Sequence, residues 1–252
     1  MRIREIYYSV RRKILKSFVP EFIWPMEINI DGVLIKVRNT PFSFGTKRSL
    51  VKGDYEIFER QLLKSQIESG DIVYEMGGSI GVLTSILSEK VRPQGKVFSV
   101  EASESIVAYS KTQLENRGNI EVYCGFAFPV LSVENKIKIQ NFDESLGQLG
   151  GVVSFDTNSQ DESKPPNNIF DIKKLMETSK TSPTVLVIDI EGSEKIILDY
   201  KPNYPKSVRI ILIEMHTHMY GESIRKKIIQ NIVDDGFKVD LCQNDVYLLQ
   251  RQ

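Results

Sequence analysis

The sequence predicts an α/β fold built on a mostly parallel, seven-stranded sheet that ends in an antiparallel hairpin. From Asp71 onward, short apolar runs alternate with segments of helical periodicity, as in βαβ crossovers that make neighbouring strands parallel. The last two runs, FKVDLC and VYLLQ, flank Gln243-Asn244-Asp245, which is typical of a hairpin. A length of 252 residues suits one such domain with a short additional segment.

The predicted elements follow one another in a regular order. Residues 1–25 contain a basic amphipathic helix that stops before Pro20. The domain spans 26–252 and opens with a hairpin at 26–38 around Asp31-Gly32. A polar loop and a helix from about Tyr55 to Gln66 lead to the sheet. Its first five strands are predicted at IVYEM, KVFSVE, Asn119 to Cys124, TVLVIDIE and SVRIILIEMH, with helices at Gly81 to Lys90, Ser105 to Asn116, Asp171 to Ser179, Ser193 to Asp199 and Glu222 to Asp235.

A polar, β-rich stretch at about 126–168 interrupts this alternation. It contains the β-like runs NKIKIQNF and GGVVSF and the loop-like run TNSQDESKPPNN. These residues include too few apolar side chains for a core of their own. We therefore expect an insertion that covers the ligand site, rather than a second domain.

Composition bears on the partners and the location. Lys plus Arg and Asp plus Glu both number 33, so the formal net charge is zero, which argues against a dedicated nucleic-acid partner. The two cysteines are far apart; this excludes a disulfide framework and a Cys-based zinc site, and favours the cytoplasm. No apolar run is long enough for a transmembrane helix. For the basic helix at 1–18 two interpretations stay open: docking on its own domain or on a second subunit of a homo-oligomer, or peripheral contact with an anionic inner membrane face.

The strongest ligand-binding signal lies at the end of the first strand of the sheet. There Glu75 is followed by Gly77, Gly78, Ser79 and Gly81, and then by a helix. Glycines allow a tight turn and close approach to a ligand, and the helix N-terminus offers free N–H groups. The spacing fails the G-x-G-x-x-G dinucleotide fingerprint, so an NAD-linked oxidoreductase is only the alternative at the level of the fold.

The observed form, Glu-x-Gly-x-x-x-Gly, resembles the first motif of S-adenosylmethionine methyltransferases. The resemblance implies that cofactor and a Rossmann-like methyltransferase fold. The second strand ends at Glu101, 26 positions after Glu75, where a carboxylate can accept both ribose hydroxyl protons. The loop after the third strand lies where the adenine is expected. The predicted cofactor-binding residues are Glu75, Gly77, Gly78, Ser79, Gly81, Glu101, Ala102, Ser103, Phe126, Ala127 and Asp189.

A second constellation narrows the resemblance. The fourth strand ends in Asp189-Ile190-Glu191-Gly192-Ser193-Glu194, and the fifth in Glu214-Met215-His216. This D-x-E-G-x-E signature, with an acidic residue closing the fifth strand, resembles the FkbM-type O-methyltransferases. The resemblance implies methylation of a hydroxyl group of a glycan or a small-molecule acceptor. The chain has Val187 where that family often has Lys, and Ser79 where it often has Asn.

An alcohol needs help to lose its proton before it attacks a methyl sulfonium, so the site requires a base or a metal ion. The candidate catalytic residues are Asp189, Glu191, Glu214 and His216, with Asp189 the first choice. Two roles stay open. His216 or His218 acts as a general base oriented by a carboxylate, or Asp189, Glu191 and His216 hold a divalent ion. Glu194 is expected to cap or pair on the following helix, and a catalytically silent cofactor-binding module is the further alternative.

Overall fold

The structure is a computed structural model that describes residues 20–40, 42–133, 138–143, 152–156 and 168–252. These residues divide into two compact units, with the division after Tyr55. The predicted basic helix at 1–18 lies outside the described residues, so its docking or membrane contact stays a prediction. Among the helices that the structure describes, none has the length and apolar character needed to cross a membrane.

The first unit contains the predicted hairpin. Strands β1 (Glu27–Ile30) and β2 (Val33–Lys36) pair antiparallel around Asp31 and Gly32, which both have positive φ. A helix, α1 (Phe44–Lys52), follows where the sequence predicted a polar loop. The Ser43 side chain caps its first turn by accepting a hydrogen bond from the Thr46 N–H, and Gly53 ends it in the left-handed conformation. The prediction missed α1 because this helix has few apolar residues to set a period.

The second unit holds a seven-stranded sheet. Its strands, in their order across the sheet, are β12 (Phe237–Gln243), β13 (Val246–Arg251), β11 (Ile210–Glu214), β10 (Val185–Ile188), β3 (Ile72–Met76), β4 (Lys96–Glu101) and β5 (Ile120–Cys124). Neighbouring strands are parallel except where β13 pairs antiparallel with both β11 and β12. The predicted sheet and its C-terminal hairpin are therefore confirmed.

Helices cover both faces of this sheet. One face packs against α2 (Ile57–Leu63) and α3 (Val82–Val91), and the other packs against helices from the second half of the chain. The remaining helices are α4 (Glu104–Leu114), α5 (Ile172–Ser179), α6 (Ile196–Asp199), α7 (Thr217–Tyr220) and α8 (Glu222–Asp234), and a 3-10 turn spans Ser193–Lys195.

Alternation along the strands decides which side chains face α2 and α3. Val73, Val187 and Leu212 pack with those helices, whereas Tyr74 and Met76 pack on the opposite face. Since side chains two positions apart share a face of a strand, Glu75 and Glu214 continue the rows of Val73 and Leu212. Two carboxylates are thus directed to the α2 side at the carboxyl ends of the strands.

Short strands lie within and next to the region predicted as an insertion. Strands β7 (Lys138–Asp143) and β8 (Val152–Asp156) form an antiparallel hairpin. Strands β6 (Phe126–Phe128) and β9 (Ile169–Asp171) pair in parallel and close the insertion at its base. Cα atoms of β8 come within 8 Å of the 3-10 turn Ser193–Lys195, so part of the insertion lies beside the D-x-E-G-x-E signature.

Candidate active site

The glycine loop after β3 is closely packed against its surroundings. Gly77 has φ of 90°, and a Cβ atom there would stand 1.6 Å from the backbone oxygen of Asp189. A Cβ atom on Gly78 would stand 1.9 Å from the Ser99 hydroxyl oxygen. Position 77 has no room for a side chain, so the loop needs glycine there. A side chain at position 78 would have to displace the Ser99 hydroxyl.

A cavity opens beside this loop, at the carboxyl ends of the parallel strands; its empty space, with the open solvent at its entrance included, is about 530 Å³. Ligands bind at this edge in open α/β sheets. The wall combines backbone, apolar and aromatic surface with a few carboxylates. The lining residues are Gly77, Ser79, Val100, Glu101, Ala102, Gly125, Phe126, Ala127, Phe128, Asp189, Ile190, Glu191 and Ser193.

Glu101 is the carboxylate that the sequence assigned to the cofactor ribose. It lines the cavity and is only 6% exposed. Its Oε2 accepts a hydrogen bond from the Ser79 N–H at 3.0 Å, and its Oε1 accepts one from the Ser103 N–H at 2.9 Å. Burial raises the pKa of Glu101, although these backbone N–H groups oppose the rise. These two backbone N–H groups fix the orientation of the carboxylate.

The structure brings seven of the predicted cofactor residues to this wall: Gly77, Ser79, Glu101, Ala102, Phe126, Ala127 and Asp189. The other four are not among the residues that line the cavity. Gly78 packs on Ser99, Gly81 precedes α3 with positive φ, and the Ser103 side chain caps α4. Glu75 is 1% exposed, and its Oε2 accepts a hydrogen bond from the Thr84 hydroxyl at 2.6 Å. Burial raises the pKa of Glu75 to about 7.

Asp189 is the first residue after β10 and leads into the turn that follows this strand. The sequence predicted a strand that continues through Glu191, but β10 ends at Ile188. Asp189 and Glu191 therefore lie after the strand, and Glu191 has φ of 48° in the turn. The Asp189 Oδ1 is buried and makes no hydrogen bond within the described chain. Burial, followed by the charge of Glu214, raises the pKa of Asp189 well above its usual value.

His216 lies between three carboxylates. Its Nδ1 is 3.0 Å from Glu194 Oε1, and its Nε2 is 3.2 Å from Glu191 Oε2 and 3.6 Å from Asp189 Oδ1. Burial alone would lower the pKa of this imidazole, but the hydrogen bonds to Glu191 and Glu194 and the neighbouring negative charges outweigh it and raise the pKa to about 11. At neutral pH His216 therefore carries a positive charge. His218 is exposed and lines neither this cavity nor the second one described below.

A second, smaller cavity of about 290 Å³ shares Gly77 and Asp189 with the first. Glu56 and Glu59, from the segment before β3, line it with Glu75. The Glu59 carboxyl is hydrogen-bonded to that of Glu214. Burial, followed by the charge of Glu59, raises the pKa of Glu214 to about 7, and burial likewise raises the pKa of Glu59. Glu59 was not predicted, because no motif marks it and only the fold brings its helix to β11.

The structure brings together a candidate metal-binding group that differs in one residue from the group that the sequence predicted. Donor atoms of Asp189, Glu214 and His216 all lie within 4.8 Å of one another, whereas the sequence proposed Glu191 in place of Glu214. The arrangement fits a divalent ion, because Nε2 faces the carboxylates while a buried carboxylate accepts from Nδ1, as is usual for metal-bound histidines. An ion there would be held by Asp189, Glu214 and His216 and would require the Nε2 proton to leave.

Comparison with known proteins gives matches to methyltransferases. The family model for protein-L-isoaspartate(D-aspartate) O-methyltransferase matches residues 39–129, which include the glycine loop and Glu101. The strand order of the sheet and the family-model match both indicate a methyltransferase fold. The chain has the S-adenosylmethionine-dependent methyltransferase fold. The predicted fold and the predicted cofactor, S-adenosylmethionine, are confirmed at this level, while the narrower FkbM-type resemblance stays a prediction.

Two curated relatives of this methyltransferase-fold chain are similar over part of its length. A probable ribosomal RNA small subunit methyltransferase A from Thermococcus sibiricus is 26% identical over 124 residues, 49% of this chain and 41% of the relative. Its counterpart from Thermococcus onnurineus is 32% identical over 75 residues, 30% of this chain and 26% of the relative. The matched region thus spans less than half the length of either relative. A fibrillarin structure from Aeropyrum pernix with bound S-adenosyl-L-methionine aligns at 14% identity and a TM-score of 0.45, covering 78% of this chain and 74% of the other.

These relatives correct one expectation. The balanced charge led us to exclude nucleic acid as a partner, and that exclusion is wrong, because both curated relatives are described as ribosomal RNA methyltransferases. The physical reason is that net charge is a sum over the whole chain. It does not report how lysines and arginines are distributed over the surface of one face.

Proposed function

We propose that this chain is a methyltransferase that transfers the methyl group of S-adenosylmethionine to a hydroxyl group, with a sugar or glycan as the acceptor. The observation that supports it best is the position of Asp189. This residue lines both cavities, packs against the glycine loop at Gly77, and has a buried Oδ1 without a hydrogen-bond partner in the described chain. A carboxylate in this position can accept the proton of a hydroxyl group beside the cofactor.

Each residue of the site has a distinct part in this proposal. Bound S-adenosylmethionine supplies an electrophilic methyl group. Glu101 holds the ribose hydroxyls, and the glycine loop leaves room for the cofactor. Asp189 accepts the hydroxyl proton, since its raised pKa makes it a stronger base than an ordinary carboxylate. His216 does not act as the base, because its pKa of about 11 keeps both ring nitrogens protonated at neutral pH; it holds Glu191 and Asp189 in place.

The matched family model supports transfer to oxygen, since it is that of an O-methyltransferase. The FkbM-type signature supports a sugar hydroxyl. A second candidate acceptor is RNA, favoured by the description of the two curated relatives. The two candidates share the cofactor half of the site and differ in what binds at the Asp189 side.

A transfer assay with methyl-labelled cofactor separates these acceptors. The full chain is incubated with nucleotide sugars, oligosaccharides, lipid-linked glycans and total RNA. Label that is found in a carbohydrate fraction and is retained after mild base treatment, as a methyl ether would be, supports the proposal. Label confined to RNA supports the second candidate. No incorporation with any acceptor, despite stabilisation of the protein by S-adenosylhomocysteine, favours the silent cofactor-binding alternative.

The role of Asp189 is tested with the acceptor that this assay identifies. Asp189→Asn keeps the size of the side chain and removes the base, so kcat should fall by about 10²- to 10⁴-fold while S-adenosylhomocysteine still binds. Glu115→Gln is a matched control, because Glu115 is exposed and lies outside both cavity walls. Near wild-type turnover in Asp189→Asn would refute the assignment.

A further inference from the structure

We infer that Glu194 is a positioning residue that holds the His216 ring with Nε2 directed at Asp189 and Glu191. Glu194 is thereby added to the proposed site. Its contact with His216 does not depend on the proposed function, whereas its effect on catalysis does. The sequence assigned Glu194 to capping or pairing on the following helix. The structure instead pairs it with a histidine 22 positions away.

The Glu194 side chain is buried and has hydrogen-bond contacts with both His216 and the Gly192 backbone. Its side chain is 0% exposed, its Oε1 lies 3.0 Å from His216 Nδ1, and the Gly192 N–H donates to the same oxygen at 3.2 Å. Gly192 has φ of 93°, which turns the chain so that Glu194 faces the end of β11. Burying a carboxylate is costly unless it is hydrogen-bonded and paired with a charge, and His216 supplies both.

This contact decides which nitrogen serves the site. With Nδ1 engaged by Glu194, only Nε2 remains to face Glu191 at 3.2 Å and Asp189 at 3.6 Å. A ring without this anchor can turn about its χ2 torsion and exchange its two nitrogens. The role is the same whether Nε2 donates to the carboxylates or binds a divalent ion, since a carboxylate on the other nitrogen orients the ring in both cases.

Other charged groups surround the ring and do not share this role. Asp189 and Glu191 approach Nε2, and Glu214 and Glu59 act on the ring through their charge. On α7, the His218 ring centroid lies 5.9 Å from that of His216, and Tyr220 lies close to both Glu194 and His216. Glu194 is the group with a hydrogen bond to Nδ1 in the described chain. It is absent from the walls of both cavities, so it acts through His216 and not on a ligand.

The first test is spectroscopic and needs no acceptor. The chain has two histidines, so imidazole ¹H–¹⁵N correlation spectra of the full chain are simple, and His218→Gln assigns the His216 signals. In Glu194→Ala the downfield Nδ1–H proton of His216 should be lost, while Glu194→Gln, which keeps an acceptor oxygen, should retain it with an upfield shift. Glu115→Gln is the control. Unchanged His216 signals in both Glu194 variants would overturn the inference, and the Gln variant keeps the test decisive if the Ala variant does not fold.

The second test measures catalysis with the acceptor found for the wild type. Loss of a residue that orients an active-site histidine typically costs about 10- to 100-fold in activity. We expect this loss in kcat for Glu194→Ala, partial rescue in Glu194→Gln, and a Kd for S-adenosylhomocysteine within about twofold of wild type. A Kd that rises by the same factor as kcat falls would contradict a role through His216. If the wild type methylates nothing, the proposed function fails, and the spectra still decide the inference about Glu194.

Discussion

The backbone carbonyl oxygen of Asp189 lies 1.6 Å from where a Cβ atom on Gly77 would stand. The glycine loop after β3, which is proposed to leave space for the cofactor, therefore packs directly on the residue proposed to take the acceptor proton. The two loops belong to neighbouring parallel strands, since Met76 is paired with Ile188. Any side chain at position 77 has to separate them.

Gly77→Ala should disrupt both stability and cofactor binding. A positive φ alone costs an alanine about 1 kcal/mol, and the overlap with Asp189 adds to it, so we expect a loss of about 3 kcal/mol or more in the free energy of unfolding. Gly70→Ala is the matched control, because Gly70 has φ of 94° and nothing within 4 Å of its Cβ position. Urea unfolding and S-adenosylhomocysteine binding measure the effect. Equal losses in the two variants would show that the packing against Asp189 is unimportant.

Glu101→Gln should weaken cofactor binding while leaving the fold intact. The amide keeps one acceptor oxygen for the N–H groups of Ser79 and Ser103 but loses the charge that ribose hydroxyls favour. Hydrogen bonds to charged groups are worth about 1.5–3 kcal/mol, so we expect the Kd for S-adenosylhomocysteine to rise about 10- to 100-fold. Calorimetric titration measures this. Glu104→Gln, an exposed change on α4, is the control, and an unchanged Kd in Glu101→Gln would remove Glu101 from the site.

The sequence predicted what local patterns specify. Alternating apolar runs predicted the seven strands, the glycine spacing located the loop at Gly77, and the end of the second strand predicted the position of Glu101. These features depend on residues close together in the chain. The helix α1 was missed because its few apolar residues set no period, although its capping residue Ser43 and its terminal Gly53 are visible in the sequence.

The missed parts of the site depend on contacts between distant segments. Glu59 reaches Glu214 because α2 packs on the face of the sheet to which the Glu214 side chain is directed. No spacing rule connects two positions that are 155 residues apart in the sequence. Glu194 reaches His216 because a left-handed turn at Gly192 redirects the chain. The sequence placed Glu191 at the end of a strand, but the strand ends three residues earlier. The contact of Glu191 with His216 is made from the turn that follows.

Glu75 should make stability fall as pH rises. The pKa of its buried carboxyl is about 7, against 4.5 for an ordinary glutamate. Below about pH 4.5 the group is neutral in both states. Between these two values the unfolded chain loses the proton while the folded chain keeps it, so folding becomes less favourable; above pH 7 the difference is constant.

The measurement compares wild type with Glu75→Gln, which stays neutral at every pH. Since one pKa unit is worth about 1.4 kcal/mol, the free energy of unfolding of wild type relative to Glu75→Gln should drop by about 3 kcal/mol between pH 4.5 and pH 8. Chemical denaturation at several pH values gives this difference. Glu115→Gln should track wild type throughout, and a flat difference for Glu75→Gln would mean that the carboxyl is not neutral in the folded chain.

Ser193→Ala should separate ligand binding from stability. Ser193 is 3% exposed and lines the larger cavity, yet its hydroxyl makes no hydrogen bond within the part of the chain that the structure describes. An unpaired buried hydroxyl costs stability, so the alanine variant without ligand should melt at the same temperature as wild type or higher. Its Kd for S-adenosylhomocysteine should rise about 3- to 10-fold if the hydroxyl bonds to the cofactor.

Thermal melting with and without S-adenosylhomocysteine measures both quantities. Ser110→Ala is the control, because the Ser110 hydroxyl is equally buried but already donates to the Val107 carbonyl. A lower melting temperature without ligand, with unchanged affinity, would show that Ser193 is a structural residue.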